Sequence, residues 1–599
     1  MFQKLDKILL WILRTGLVLI LFSVLVKHTG FFFPYIVPRT TYLQLIAEFL
    51  GGAAAIFIVL YPSYRPKWTF LSSALAAFFL AGLISVIFSA DPSKSMFGTM
   101  ERSFGFFNIL HYGILFFVAT VALRTQRQWN IFLAISIAIS VYGAINLLNP
   151  VLLAKQVPST VAGNPTFLSA YLIFHICFAA FLFIQTKDKY LKILLGIIIA
   201  IQASAILASN VRGGFVGLSA AVLFLMLYSI WKHKQTRTLF GGILIIIILS
   251  YGFIFINRDN PAINANPILQ RITNFSLEDE TIEARFAMWK IALQGIKERP
   301  IAGWGRENYS LVFNLYFDPV FDAAKVAEAW EDRTHNVFLD ELINGGAIEL
   351  LAYLFLLTVI FVYVRKNPLF IALLIAYTVQ NLFGVDTLNS YMPFFLFLGL
   401  LNAKDCYDRH EEIPVVFSYK KPELKIFASV FAAFLIMGGG MFFSAQSARG
   451  NAMIYQALKD MAGNNYSAFQ KSYEKGREIL KPFPYIEAEA LTLFSSLIAR
   501  QAADFSKIDS YPAYITQLTT DMDRAYARNN LEHRVALNFV GLLLNNAVLD
   551  KIYLDKADNI LRELIIASPD RKIYTATASS SKQIRAYLEK SEVQNPNIK

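Results

Sequence analysis

Cysteine is nearly absent: Cys177 and Cys406 are the two in 599 residues. That is too few for a disulfide framework or for a cysteine-built zinc or iron–sulfur site. Charge is scarce as well, at 16% of residues, where soluble globular chains carry about 25%. There is no Walker loop, no G-x-G-x-x-G turn after a strand, no H-E-x-x-H pair and no G-x-S-x-G elbow. These absences remove the commonest nucleotide-binding, zinc-hydrolase and serine-hydrolase signatures. What is present is apolar: 56% hydrophobic, 15% aromatic, mean hydropathy +0.47. Such a chain is neither disordered over most of its length nor an ordinary soluble protein.

A spanning helix needs about 20 mostly apolar residues. Thirteen segments qualify: 8–26, 43–61, 69–90, 104–123, 130–149, 166–185, 191–208, 213–231, 239–257, 346–364, 368–384, 387–402 and 424–444, the twelfth being the shortest. The first is too long for a signal-peptide core, has no small-residue cleavage site and is followed by further spans. The expected fold is therefore all-α and polytopic.

The formal net charge of +12 would suggest a nucleic-acid partner in a soluble chain. Mapping it removes that reading. With the N-terminus inside, the inner connections hold 17 basic residues and the short outer ones hold 6: Lys27, Arg39, Lys94, Arg102, Lys155 and Arg212. This is the positive-inside pattern of a multi-pass cytoplasmic-membrane protein with a cytoplasmic N-terminus. Two large pieces then fall outside, the loop 258–345 and the tail 445–599, which divides the chain into a membrane domain 1–444 and an extracytoplasmic domain. An error of one span would place the tail in the cytoplasm.

The tail reads as helices over 446–461, 465–480, 485–503, 511–528, 532–549, 553–567 and 580–590, with Tyr466, Phe469, Tyr473 and Leu480 on one face. Two of its segments, "NNYSAFQKSYEKGREILKPFP" and "YLDKADNILRELIIASPD", resemble the second helix of tetratricopeptide repeats. The expectation is a tetratricopeptide-like array of helical hairpins, which would bind a protein partner or simply pack as a cap. Asp521-Met-Asp523 is expected to be solvated surface. His111, His175, Glu48 and Arg14 lie inside spans, where ionisable groups are functional candidates. The two histidines are expected to be hydrogen-bonded between helices, and Cys177 to be a small packing residue.

Polar chemistry concentrates in four stretches at outer ends: "VAGNPTFLSAY" (161–171, with Asn164), "ASNVRGGFVGLSA" (208–220), "EARFAMWKIALQGIKERPIAGWGRENYSLV" (283–312) and "EDRTHNVFLDELINGGAIELLAYL" (331–354). The R-G-G turn, the A-R-x-x-x-W helix ending in P-x-x-G-x-G, and the R-T-H-N-x-x-L-x-x-L-x-x-x-G stretch are similar, in order and in placement around one outer loop, to the O-antigen ligase/polymerase superfamily. The resemblance covers roughly residues 70–400. It implies a GT-C-like helical fold, no metal or other cofactor, and transfer of a glycan from an undecaprenyl-diphosphate carrier to an acceptor hydroxyl with inversion. It also implies that Arg212 and Arg285 serve the diphosphate and that His335 is essential. The acceptor is left open: a lipid for a ligase, a glycan for a polymerase, a protein for an O-oligosaccharyltransferase. From another class, a lipid-linked glycan transporter is the rival.

The residue chemistry fits these roles. A departing diphosphate needs fixed cations, and the guanidinium fork suits phosphate oxygens. Gly213 and Gly214 beside Arg212 would admit a phosphate to a helix N-terminus, although an arginine there also suits lipid headgroups. Arg285 has an internal salt bridge as its alternative; Arg333 and Arg306 are further cations. His335, the one histidine of the large loop, can take a proton from an acceptor hydroxyl near pH 7. The alternatives are a helix-capping histidine beside Asn336, or an orienting role with Glu331 or Asp332 as the base.

Overall fold

The computed structural model describes residues 2–152, 163–209, 211–258, 260, 280–323, 330–408, 422–500, 509–529 and 532–594. Among the described residues every regular element is a helix. In chain order these are α1 Phe2–Leu21, α2 Val37–Leu60, α3 Phe70–Ile87, α4 Pro92–Phe97, α5 Phe106–Ala122, α6 Gln126–Leu152, α7 Pro165–Gln185, α8 Lys189–Ala208, α9 Arg212–Lys232 and α10 Arg237–Ile256. The large loop adds α11 Glu280–Glu298, α12 Tyr309–Leu315 and α13 Val320–Ala323; then come α14 Val337–Val364, α15 Pro368–Asn381, α16 Leu388–Asp408 and α17 Pro422–Ala462. The tail continues with α18 Tyr466–Leu480, α19 Pro484–Arg500, α20 Tyr511–Arg528, α21 His533–Asn545, α22 Ile552–Ala567 and α23 Lys572–Gln594.

Each of the thirteen apolar segments lies on a helix. Ten helices are long and apolar enough to cross a membrane, and α5 and α15 are shorter apolar helices. The protein is an all-α polytopic membrane protein. The shortest of the apolar segments, on α16, is the centre of the bundle: Tyr391 to Leu398 are all buried, and α16 packs on α3, α5 and α7. At the opposite extreme, no residue of the α10 span window is buried within the protein, as suits a helix solvated by lipid.

Two boundaries differ from the sequence reading. The tenth apolar helix starts at Val337 rather than at 346, because Asn336 caps it and its first turns carry Asp340 and Glu341. The backbone then breaks inside it, at Gly345 and Gly346. Gly346 has φ +63°, and an added Cβ would meet Ile301 C at 2.3 Å. The break lets backbone from 300–305 dock alongside: Trp304 and Gly305 N–H donate to the carbonyls of Ile343 and Asn344 at 2.8 and 2.7 Å, and Ala347 N–H donates to Pro300 O at 2.8 Å. The second difference is α17, which runs unbroken from the apolar segment through residue 462, so no turn separates bundle from tail. Residues 445–462 hold no proline, and Gly450 takes Leu480 of α18 against its backbone.

Alternate connections gather at opposite ends of the bundle. At one end, Arg124 donates to Ser63 O at 3.3 Å, Asn130 to Gln185 at 3.1 Å and Tyr363 to Asp405 at 2.8 Å. At the other, Phe32 N–H donates to Asn451, Met100 N–H to Glu489, and Ser310 to Glu532. The tail, the 88–105 connection and the large loop therefore share one end, here called the loop end. Within the tail, Phe469, Tyr473 and Leu480 are fully buried, as their periodicity predicts. The D-x-D pair departs from expectation. Asp521 is buried, accepts the Tyr473 hydroxyl at 3.0 Å and pairs with Arg477 at 2.6 Å, while Asp523 pairs at the surface with Lys556. Successive residues two apart on a helix point to different sides, and one side here is the hairpin interior.

Candidate active site

The R-T-H-N segment forms a tight turn ahead of α14. Asn336 Oδ1 accepts the N–H groups of Phe338 and Leu339 at 3.0 and 3.2 Å, a helix N-cap. The Thr334 N–H and hydroxyl both reach Asp340 Oδ1, at 2.9 and 2.8 Å. From the large loop, Trp289 Nε1–H donates to the Thr334 carbonyl at 3.0 Å. Bonds on both sides hold His335 at φ +54°, a left-handed conformation that histidine adopts more readily than most residues. It costs about 1 kcal/mol or more and persists only where its surroundings impose it. The imidazole is 26% exposed, and its Nε2 lies 3.6 Å from Oε2 of the buried Glu331.

The neighbouring acids and bases are committed elsewhere. Asp332 is held by a two-bond fork from Arg102, at 2.6 and 2.9 Å. Burial alone would raise its carboxyl, but the Arg102 charge and hydrogen bonds hold it well below the usual carboxylate range. Arg333 is buried, with Nη2 2.9 Å from Glu307 Oε1 and its guanidinium 5.4 Å over the Phe104 ring. Arg306 lies deeper, between Glu341 at 3.1 Å and Glu349, next to the break in α14. Asn164 caps α7, accepting the Thr166 N–H at 2.8 Å.

Arg212 opens α9 and is exposed. The glycines after it are packed. An added Cβ on Gly214 would lie 1.8 Å from Ser169 Oγ of α7, and one on Gly217 would lie 2.7 Å from Ala376 O of α15. Gly213 faces the end of α15, where a Cβ added to it would lie 3.4 Å from Gln380 O and 3.8 Å from Phe383 Cβ. Arg285, on α11, places its guanidinium 5.9 Å over that same Phe383 ring. Phe383 thus stands between the two arginine motifs. Arg285 is also one helical turn from Trp289, which binds the His335 turn. The three motifs that lie far apart in sequence meet at the loop end.

Several residues of this region escaped the sequence reading. A small cleft of about 30 Å³ beside the His335 turn is lined by Arg39, Arg102 and Arg333, with Tyr35, Phe167 and Asp386. Arg39 and Arg102 were visible as two of the few basic residues in outer connections, the same exception that singled out Arg212. Asp386 sits in the connection before α16, accepting from Ser390, Tyr377 and Asn381 at 2.7, 2.9 and 3.0 Å. Burial pushes its carboxyl up to about 6 against those bonds. No short motif marks it.

His111 and His175 match expectation: His111 bonds Glu48 of α2 at 2.8 Å, and His175 bonds Ser136 of α6 at 2.7 Å. Cys177 is buried.

Comparison with known proteins adds a family match over part of the chain. Residues 195–354 match the family model described as O-antigen ligase. An uncharacterized protein of Haemophilus influenzae is 29% identical over 191 residues, 30% of this chain and 46% of that one, so the chain spans about half the length of this relative. The family match contains Arg212, Arg285, Arg306, Arg333 and His335, whereas Asn164 and the tail lie outside it.

Proposed function

We propose, from the match of residues 195–354 to the O-antigen ligase family model, that the chain is a membrane glycosyltransferase that moves a glycan from an undecaprenyl-diphosphate donor to an acceptor hydroxyl. The observation that carries this reading is the His335 turn: an imposed left-handed histidine beside a buried carboxylate, bound by Trp289 one helical turn from Arg285. In the proposed reaction the acceptor oxygen attacks the anomeric carbon from the face opposite the diphosphate. The new glycosidic bond forms as the sugar–phosphate bond breaks, with inversion. His335 takes the acceptor proton, and Glu331 supports the imidazolium that results. Arg212 and Arg285, with Arg333, stabilise the charge that builds on the leaving diphosphate.

Thirteen crossings with a cytoplasmic N-terminus put the loop end, residues 258–345 and the tail from 445 onward, outside the cytoplasmic membrane, where the lipid-linked donor is presented. The shared end of tail and large loop supports the odd number of crossings. The tetratricopeptide-like likeness of the tail belongs to the same reading. The test is transfer by purified wild-type and His335→Ala protein from lipid-diphosphate donor, with product mass as readout. Undiminished transfer by a folded His335→Ala protein would overturn the role of His335. Donor movement across vesicles without transfer would favour a transporter.

A further inference from the structure

The tail does more than cap the bundle: between it and the loop end lies a cleft of about 260 Å³. One wall comes from the bundle and large loop, including Arg102, Trp330, Glu331 and Asp332; the other comes from the tail, including Tyr485, Glu489, Leu493 and Glu532. Glu331 is the carboxylate 3.6 Å from His335 Nε2, so the cleft reaches the proposed base.

The tail wall is fixed in place. Buried Lys94 pairs with buried Glu532 and donates to Ser310 at 2.7 Å. Arg571 stacks 3.8 Å over Trp330 and bonds Asn314 Oδ1 at 3.1 Å. Separating the walls would strand buried charges, a penalty of about 3–5 kcal/mol for one such pair.

The lining selects a ligand chemistry. Its three cations are each paired with a carboxylate: Lys94 with Glu532, Arg102 with Asp332, Arg534 with Glu101. Glu331 faces His335, and burial pushes the Glu489 carboxyl up to about 7, so the lining is left without an unpaired cation. Such a surface offers no free counter-charge to a diphosphate or a phosphorylated acceptor. Of the residues lining it, only Leu493 and Val535 lack a polar group on the side chain. That is poor for anchoring the apolar side chains of a peptide, and good for sugar hydroxyls, which donate to carboxylates and hydroxyl oxygens. We propose that this cleft holds the acceptor, an uncharged glycan end, and that the tail reads it. This inference rests on the glycosyltransferase reading above.

The test uses full-length protein, lipid-linked donor, and the neutral saccharide released from that donor by mild acid as acceptor probe. Leu493→Cys is labelled after folding with a bulky maleimide; both native cysteines are buried. Labelling is expected to lower transfer to saccharide at least tenfold relative to donor hydrolysis by water. Glu489→Gln is expected to raise the saccharide KM about threefold to tenfold while the donor KM stays constant. An unchanged ratio on labelling, or faster transfer to a Ser/Thr peptide or a phosphorylated saccharide than to the neutral one, would overturn the proposal. Wild-type protein that consumes no donor, with either water or saccharide, would instead overturn the glycosyltransferase reading itself.

Discussion

Arg102 and Asp332 are joined by a planar two-bond fork, Nε to Oδ2 at 2.6 Å and Nη2 to Oδ1 at 2.9 Å, across 230 residues of sequence. The pair stands between the arginine-lined cleft and the tail-walled cleft, since Arg102 lines both. It also fixes the residue three before His335. Arg102→Ala should therefore lower stability by about 1–3 kcal/mol near neutral pH, and Arg102→Lys should restore part of it without the fork. Because the native Asp332 carboxyl is held below its unfolded value, the contribution is complete above about pH 5 and is lost progressively as pH falls from the unfolded value of about 4 toward the native one. Unfolding of both proteins in detergent across pH 3–7 checks this. A gap between them that does not narrow in acid would contradict it.

The geometry separates the two carboxylates beside His335 by role. Glu331→Gln should keep the turn and cost about tenfold in transfer rate, because a neutral amide no longer supports an imidazolium. His335→Ala should cost about 10²–10⁴-fold, with little change in unfolding temperature. Asp332→Asn, by contrast, should act through stability and the Arg102 contact. Equal losses of rate at Glu331 and Asp332 in equally stable proteins would contradict this division.

The first residue pair also marks where the sequence was readable. Long apolar runs announce helices because lipid demands them, so all thirteen segments found a helix. Within the site, the legible part is local: Thr334, His335 and Asn336 are neighbours, and their cap and turn follow from residue type. Arg102, Arg39 and Asp386 join the site only through folding, and a basic residue in a short outer connection reads first as topology. The boundary at Val337 was hidden for a related reason. Asp340 and Glu341 look like loop residues until Thr334 and Arg306 are seen to receive them.

Arg285 places its guanidinium over the Phe383 ring, and the backbone of Gly213, next to Arg212, approaches the same residue, which yields a coupling test. Arg212→Ala and Arg285→Ala should each raise the donor KM more than the acceptor KM. Phe383→Ala should reduce the additional effect of Arg285→Ala by about 0.5–2 kcal/mol in a double-mutant cycle, as a stacked guanidinium loses its platform. Strictly additive effects in donor KM would show that the ring does not position Arg285.

Gly214 permits two readings that one substitution can separate. Sequence suggests a glycine that lets phosphate approach the backbone, whereas the structure puts Ser169 Oγ 1.8 Å and Ser169 Cβ 3.0 Å from the position of an added Cβ. Gly214→Ala should therefore force α9 away from α7 and destabilise the protein by about 1–3 kcal/mol, the usual range for overpacking. Removing the hydroxyl in Gly214→Ala with Ser169→Ala relieves the closer contact and leaves the 3.0 Å one, so stability should return in part. If packing is the whole role of the glycine, donor KM recovers along with stability. Recovery of stability with a donor KM still raised would assign the backbone at Gly214 to the diphosphate as well, because only a ligand contact would outlast relief of the clash.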